Sequence, residues 1–262
     1  MKILVLIKYV PDATADRRFT EDLTTERDAV PGVLSELDEY AVEQALRQVE
    51  AGVGTHVTYL TMGPPEAGAA LRKALSMGGD AAVHVCDDEL RGSDYLVTSR
   101  VLARAAEKIG FDLLVCGMAS TDGGGQVLPT MVAERLGIPQ LSFVTEFTLG
   151  TADESTVSAR REGDGVIERL EAAVPAVVSV TDQSGEPRYP SFKGIMAAKK
   201  KPVTTWSLAD LDLDPAVVGR SGSVTSVQQI TRRPARQAGR LVPDEGDGGR
   251  QLAGFLASEK LI

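Results

Sequence analysis

The residues best placed for chemistry in this 262-residue chain lie between Gly117 and Val127, within FDLLVCGMASTDGGGQVLPTMVAERLG, Phe111 to Gly137. Ser120, Thr121 and Asp122 bring side-chain hydrogen-bonding groups, and Gly123, Gly124 and Gly125 follow, then Gln126 and Val127. Glycines let a backbone approach a ligand closely, and the N–H groups that open a helix have no intrahelical partner. Together they make an anion site, most naturally for a phosphate. Any tight strand-to-helix turn also draws on Gly, Ser and Asp, and the strict pattern GxxxxGK(S/T) is absent. By itself the stretch reads either as a structural turn or as a nucleotide loop. Hydrolysis or group transfer through Asp122 has little support, since that carboxylate has no second acid, metal ligands or lysine in the loop.

Acid–base chemistry elsewhere has few candidates. The two histidines, His56 and His84, fall in strand-like segments and are expected to be structural. Cys86 and Cys116 each end a predicted buried strand, without CxxC spacing, so they are expected to be core thiols rather than a disulfide or metal site. A net charge of -9 argues against general nucleic-acid binding. Apolar residues at 43% and charged residues at 25% suit a soluble globular protein. With no leader and no bilayer-spanning apolar run in the sequence, a cytoplasmic protein without membrane insertion is expected.

The elements that must position the loop alternate. Lys2–Val10 is a buried strand, and residues 11–31 form a long polar loop or irregular hairpin. Residues 35–52 are a helix with Leu37, Tyr40, Ala41, Leu46 and Val49 near helical spacing and Ser35 or Asp38 as its cap. Strand 55–62, helix 66–77, strand 81–86, and a helix from Ser93 or Asp94 to Lys108 follow, the last with Leu96, Val97, Val101, Leu102 and Ala105 on its apolar face. Strand 111–116 and helix 127–136 complete the series. Four alternations predict an α/β fold with a mostly parallel, doubly wound sheet, ligands sitting beyond the strands' carboxyl ends. Segments 142–149, 156–161, 166–171 and 176–180 look like shorter, more exposed strands of a small antiparallel appendage. The expected nucleotide-type domain runs 1–202. Residues 203–262 read as an extended C-terminal arm, little core of its own, whose apolar finish Leu252–Leu261 predicts a docked helix.

A second stretch, QSGEPRYPSFKGIMAAKKKP (Gln183–Pro202), does not look like scaffold. Pro187 and Pro190 stiffen the chain around Arg188 and Tyr189. Ser191 can cap a helical turn carrying Phe192, Ile195 and Met196, ahead of Lys199, Lys200 and Lys201. An apolar anchor beside positive charge is the composition of a protein-docking loop, although a lysine run is usually a solvated face and Phe192 could equally be core.

This second block, preceded by PAVVSVTD, closely resembles the signature region of electron transfer flavoprotein β subunits. MKILVLIKYVPD, LDEYAVEQAL, TMGPPEA, ALSMGGDAAVHV and GMASTDGGGQV are similar to further landmarks of that family in the same order, so the resemblance covers nearly the whole chain. It implies an electron carrier without substrate chemistry of its own, paired with an α subunit that holds most of an interface FAD. Electrons would come from acyl-CoA and related dehydrogenases, as in fatty-acid β-oxidation, and pass to a quinone oxidoreductase. The resemblance also implies an AMP pocket formed by Leu6, by Ser35, Glu36, Leu37 and Asp38, by Met62, and by Gly117 with Ser120–Val127. It further implies a docking loop of Glu186, Arg188, Tyr189, Phe192, Ile195, Met196, Lys199 and Lys200, with Glu162 helping to position the mobile flavin domain, and an arm packed on the α subunit. In electron-bifurcating relatives a second FAD replaces AMP. That form, or a stand-alone adenine-nucleotide module, is the alternative. Two departures stand out. STDGGGQV is shorter and less charged than the family's usual Asp-rich loop, and Phe192 replaces a commoner Leu.

Overall fold

In a strand, successive side chains face opposite sides, so a strand covered on both faces must be apolar throughout. ILVL, Ile3 to Leu6, meets that condition: Ile3 and Val5 enter one core, Leu4 and Leu6 the other. The computed structural model describes residues 1–151, 154–236, 239 and 241–262. They form two compact units, Met1–Gln228 and Gln229–Ile262.

Among the described residues of the first unit, nine strands make one sheet. β1 (Lys2–Leu6), β4 (His56–Met62), β5 (Ala81–Val85), β6 (Leu113–Gly117), β7 (Gln140–Leu149), β10 (Ala176–Val180) and β11 (Val203–Trp206) pair in parallel, in the order β11-β5-β4-β1-β6-β10-β7. β8 (Thr156–Gly163) and β9 (Val166–Ala173) continue it antiparallel beyond β7. A separate antiparallel pair, β2 (Tyr9–Pro11) with β3 (Gly32–Leu34), closes the base of residues 12–31, so that polar stretch is the irregular hairpin. Helices α1 (Glu36–Glu50) and α2 (Gly68–Met77) cover one face; α3 (Tyr95–Ile109) and α4 (Leu128–Leu136) cover the other. The doubly wound expectation holds.

Three expectations are corrected. Ala176–Val180 does not belong to the antiparallel ribbon: β10 lies between β6 and β7, parallel to both and buried at every residue. An unbroken AVVSV run is what a strand covered on both faces requires. Leu96 does not join the apolar face of α3; it is exposed, while Val97, Val101, Leu102 and Ala105 are buried. Nor is the segment after Pro202 poor in core. β11 pairs with β5, Leu208, Leu211 and Val218 are buried, and Asp94 accepts the N–H groups of Val224 and Thr225 at 2.9 and 3.0 Å. The first unit therefore continues to Gln228, past α5 (Phe192–Ala198) and the short α6 (Gly219–Gly222). The second unit carries α7 (Gly248–Ser258), which has no buried residue and exposes Leu252 and Phe255.

Chain order places the crevice. From β1 the chain steps outward to β4 and β5, then α3 carries it back across to β6 on the other side of β1. The order reverses between β1 and β6, and open α/β sheets offer ligand sites beyond the carboxyl ends at such a point.

Candidate functional site

The apolar character of the first strand stops at Lys8. There the chain is stitched to the start of α1: Lys8 N–H donates to Asp38 Oδ2 at 2.8 Å, and Ser35 N–H donates to Lys8 O at 2.9 Å. Neither Ser35 nor Asp38 caps α1 through its side chain, as had been expected. Asp38 is turned toward Lys8, and the buried Ser35 Oγ has no partner among the described residues. Burial pushes the Asp38 carboxyl up to about 7, against the opposing pull of the Lys8 N–H and charge and of the Gly117 N–H. Gly117, the last residue of β6, leaves no room for a side chain. An added Cβ would lie 2.6 Å from Leu37 O and 2.7 Å from Asp38 Oδ1. The ends of β1 and β6 and the start of α1 thus meet in one place.

The loop beyond Gly117 is organised by Asp122, whose side chain is 0% exposed. One carboxylate oxygen accepts from Lys8 Nζ at 2.9 Å, the other from Arg27 Nε at 2.8 Å. Burial alone would raise this carboxyl, but the Lys8 charge and hydrogen bond, with Arg27, outweigh it and hold Asp122 well below the usual carboxylate range. Ser120 turns the chain, its Oγ accepting from Gly123 N–H at 3.3 Å and its carbonyl from Gly124 N–H at 2.9 Å. Gly124 has φ +59 with nothing within 4 Å of an added Cβ. Gln126 is also left-handed, at φ 56, a conformation that costs a non-glycine roughly 1–2 kcal/mol. Gly125 is needed for a different reason, because a Cβ there would strike the Tyr95 ring at 2.2 to 2.7 Å. The N–H groups of Gly125, Gln126 and Val127 have no protein partner among the described residues, and α4 has no side-chain cap.

Of the residues expected to line a pocket, Ser35, Leu37, Asp38 and Gly117 meet, and Ser120 to Val127 follow directly. Glu36 points to solvent, and Leu6 and Met62 pack into the core below. Lys8, Arg17, Arg27 and Tyr95 were not anticipated. Lys8 alone had a signal, a charge ending an apolar run. His84 is buried with Nε2 3.1 Å from Gly63 O, as a structural histidine would be, whereas His56 is partly exposed near Asp80.

The two carboxylates predict opposite pH effects. A group held above its unfolded value stabilises fully below that value and loses its contribution as pH rises through the folded one. Stability conferred by Asp38 should therefore fall between about pH 4 and 7, by at most ~4 kcal/mol, and stay flat above. Asp122, held low, contributes above the unfolded value and is lost only in stronger acid. Urea unfolding of the native assembly at pH 5 and 7.5 should show this decline, and Asp38→Asn should abolish it. An unchanged slope in Asp38→Asn would contradict the assignment.

The second site is the loop from Gln183 to Pro202. Its apolar side chains face outward: Tyr189 is 93% and Phe192 80% exposed, with Ile195 and Met196 also exposed. Its underside is fastened in three places. Arg188 turns inward, its Nε 2.7 Å from the nearly buried Glu43 Oε2 and its Nη1 2.5 Å from Glu50 Oε1. Arg72 donates to the carbonyls of Ala198 and Lys201 at 2.6 and 2.9 Å. Lys201 Nζ caps the end of α2, donating to the carbonyls of Leu75 and of Gly78 just past the helix at 2.8 and 3.1 Å. Arg188 is thus an anchor, while Glu186, Lys199 and Lys200 are exposed beside the aromatic face. Arg188→Ala leaves Glu43 with fewer donors and should cost ~1–2 kcal/mol, reduced from a buried pair's value because Arg188 is itself partly solvated. A thermal melt checks this; no change would mean that the anchor is idle. Glu162 pairs with Arg160 at 2.9 Å and borders a cleft of about 490 Å³ between the second half of α1 and β7–β8.

Among the described residues, no helix is long and apolar enough to cross a membrane, and no cluster of His, Cys, Asp and Glu could hold a metal ion. The fold and its Gly-rich crevice are those of the α/β class that binds ligands at a switch point. Residues 22–211 match the electron transfer flavoprotein domain. The chain is 46% identical to "Electron transfer flavoprotein subunit beta" of Mycobacterium leprae (strain TN) over 266 aligned residues, 99% of each. It is 32% identical to the protein of the same name from Megasphaera elsdenii over 273 aligned residues, covering both in full. It is 33% identical to "Caffeyl-CoA reductase-Etf complex subunit CarD" of Acetobacterium woodii over 260 aligned residues, 99% of this chain and 97% of that one. The chain belongs to the electron transfer flavoprotein β-subunit family.

Proposed function

We propose that this chain pairs with an electron transfer flavoprotein α subunit that holds most of one FAD, and that the β1–β6 crevice holds an AMP. The redox chemistry is supplied by the FAD. The chain's own residues seat the adenylate, brace the interface and present Tyr189, Phe192, Ile195 and Met196 to acyl-CoA and related dehydrogenases, with a quinone oxidoreductase as acceptor. The main support is the group of unsatisfied donors at one end of the sheet. The Gly125, Gln126 and Val127 N–H groups suit a phosphate, and the buried Ser35 hydroxyl lacks, among the described residues, a partner that a ligand could provide. Open space at Gly124 lets the backbone come close. The exposed apolar face of α7 fits an arm lying on the partner subunit.

Reconstitution tests the division of labour. With its α partner and FAD the chain should accept electrons from an acyl-CoA dehydrogenase, and purified alone it should carry no stoichiometric flavin. Stoichiometric FAD on the isolated chain would overturn the α-held assignment.

A further inference from the structure

Residues 12–31, between β2 and β3, have no part in the function proposed above, yet they are built rather than loose. Asp12 Oδ1 accepts from Thr14 N–H at 2.8 Å and Thr14 Oγ1 at 2.7 Å, Thr20 N–H donates to Thr24 O at 2.9 Å, and Phe19 bridges Thr25 antiparallel. Tyr9 OH, at the base, accepts from Gly32 N–H at 2.9 Å. The folded loop then reaches across to the Gly-rich loop at two consecutive residues. Arg17 Nη2 donates to Thr121 O at 3.0 Å, and Arg27 Nε donates to Asp122 Oδ2 at 2.8 Å. On its far side Asp22 Oδ2 takes Arg220 Nη1 at 2.7 Å.

Thr121 and Asp122 come directly before the three glycines, so whatever fixes them sets where the free N–H groups point. Asp122 is held by Lys8 at the end of the first strand and by Arg27 from the hairpin, one oxygen each. The Lys8 bond ties the loop to the sheet. The arginine bonds tie it to a segment joined to the rest of the fold through β2 and β3 and, on its far side, through the exposed Asp22–Arg220 pair.

We infer that Arg17 and Arg27 are positioning residues for adenylate. The 12–31 hairpin straps the Thr121–Asp122 step in place, and bound nucleotide exchanges only as fast as that strap releases. The inference rests on the crevice being the adenylate site. Arg27 acts through Asp122 and Arg17 through the Thr121 carbonyl, which predicts different behaviour on substitution. Arg27 depends on charge and a fixed donor, so Arg27→Lys should retain part of its function; Arg17 needs only a donor of sufficient reach.

The test uses the co-purified heterodimer and exchange of bound AMP against labelled AMP. Arg27→Gln and Arg17→Gln should each exchange about tenfold faster, since each removes one charge-assisted bond. Arg27→Lys should fall between Arg27→Gln and the unsubstituted protein. In an Asp122→Asn background, Arg27→Gln should add less than about threefold, because its partner is already altered. Exchange within about twofold of the unsubstituted rate in both glutamine variants would overturn the inference. So would a lower melting temperature of the adenylate-free variants with exchange unchanged, which marks a merely structural loop. Absence of AMP from the unsubstituted heterodimer would instead remove the crevice assignment itself, and the strap's role with it.

Discussion

Phe192→Ala is expected to slow electron transfer from an acyl-CoA dehydrogenase by roughly 10- to 100-fold while leaving the melting temperature essentially unchanged. The ring is 80% exposed on α5, so truncation opens no cavity and should alter stability by no more than ~0.5 kcal/mol. Burying a phenylalanine against a partner is worth about 1.5–3 kcal/mol, and aromatic anchors are typical hot spots. The sequence had left Phe192 open as a core residue; its exposure removes that option. The scaffold beneath explains why so short a helix can present it: Arg72, Arg188 and Lys201 hold the backbone from below, and Ala198 is buried. Stopped-flow kinetics at varied dehydrogenase concentration should put the loss in apparent affinity. An unchanged rate would move the docking face elsewhere, and a lower melting temperature would mean that the ring packs in solution.

Gly117→Ala should be the most damaging single methyl in the crevice. Its Cβ would sit 2.6 Å from the Leu37 carbonyl oxygen, a backbone atom that cannot move aside without shifting α1. Overpacking of this kind costs about 1–3 kcal/mol. The same methyl presses on Asp38 Oδ1 and disturbs the carboxyl that accepts the Lys8 N–H, adding up to ~1–3 kcal/mol for a buried polar group left poorly paired. The two terms share atoms and will not add fully. A total of ~3 kcal/mol, with AMP lost from the purified heterodimer, is expected. Gly124→Ala is the control: its Cβ meets nothing within 4 Å, and only the left-handed backbone is penalised, by ~1 kcal/mol. If Gly117→Ala melted no lower than Gly124→Ala, the close approach of β6 to α1 would be wrong.

Much of this was legible in the residues themselves. Unbroken apolar runs marked the parallel strands, and small residues marked the loop after β6. The alternation of strands and helices marked a doubly wound parallel sheet, but only the strand order places its reversal between β1 and β6. What periodicity could not carry was neighbourhood. Ala176–Val180 follows the antiparallel-looking segments in sequence, yet it pairs with β6, which is distant along the chain, and helices on the two sides of the sheet bury its faces. Arg188 looked like part of a basic docking face, because nothing in EPRYP reveals Glu43 and Glu50 on α1 beneath it. Arg17 and Arg27 lie in a polar stretch without pattern, and their partners are about a hundred residues away. Ion pairs between loops leave no spacing to read.

The most direct measurement is to purify the chain with its α partner, denature the complex and quantify every released nucleotide by chromatography. One FAD and one AMP per heterodimer is the expected result. FAD without any adenylate, or two FAD and no AMP, would contradict an AMP seated at the ends of β1 and β6.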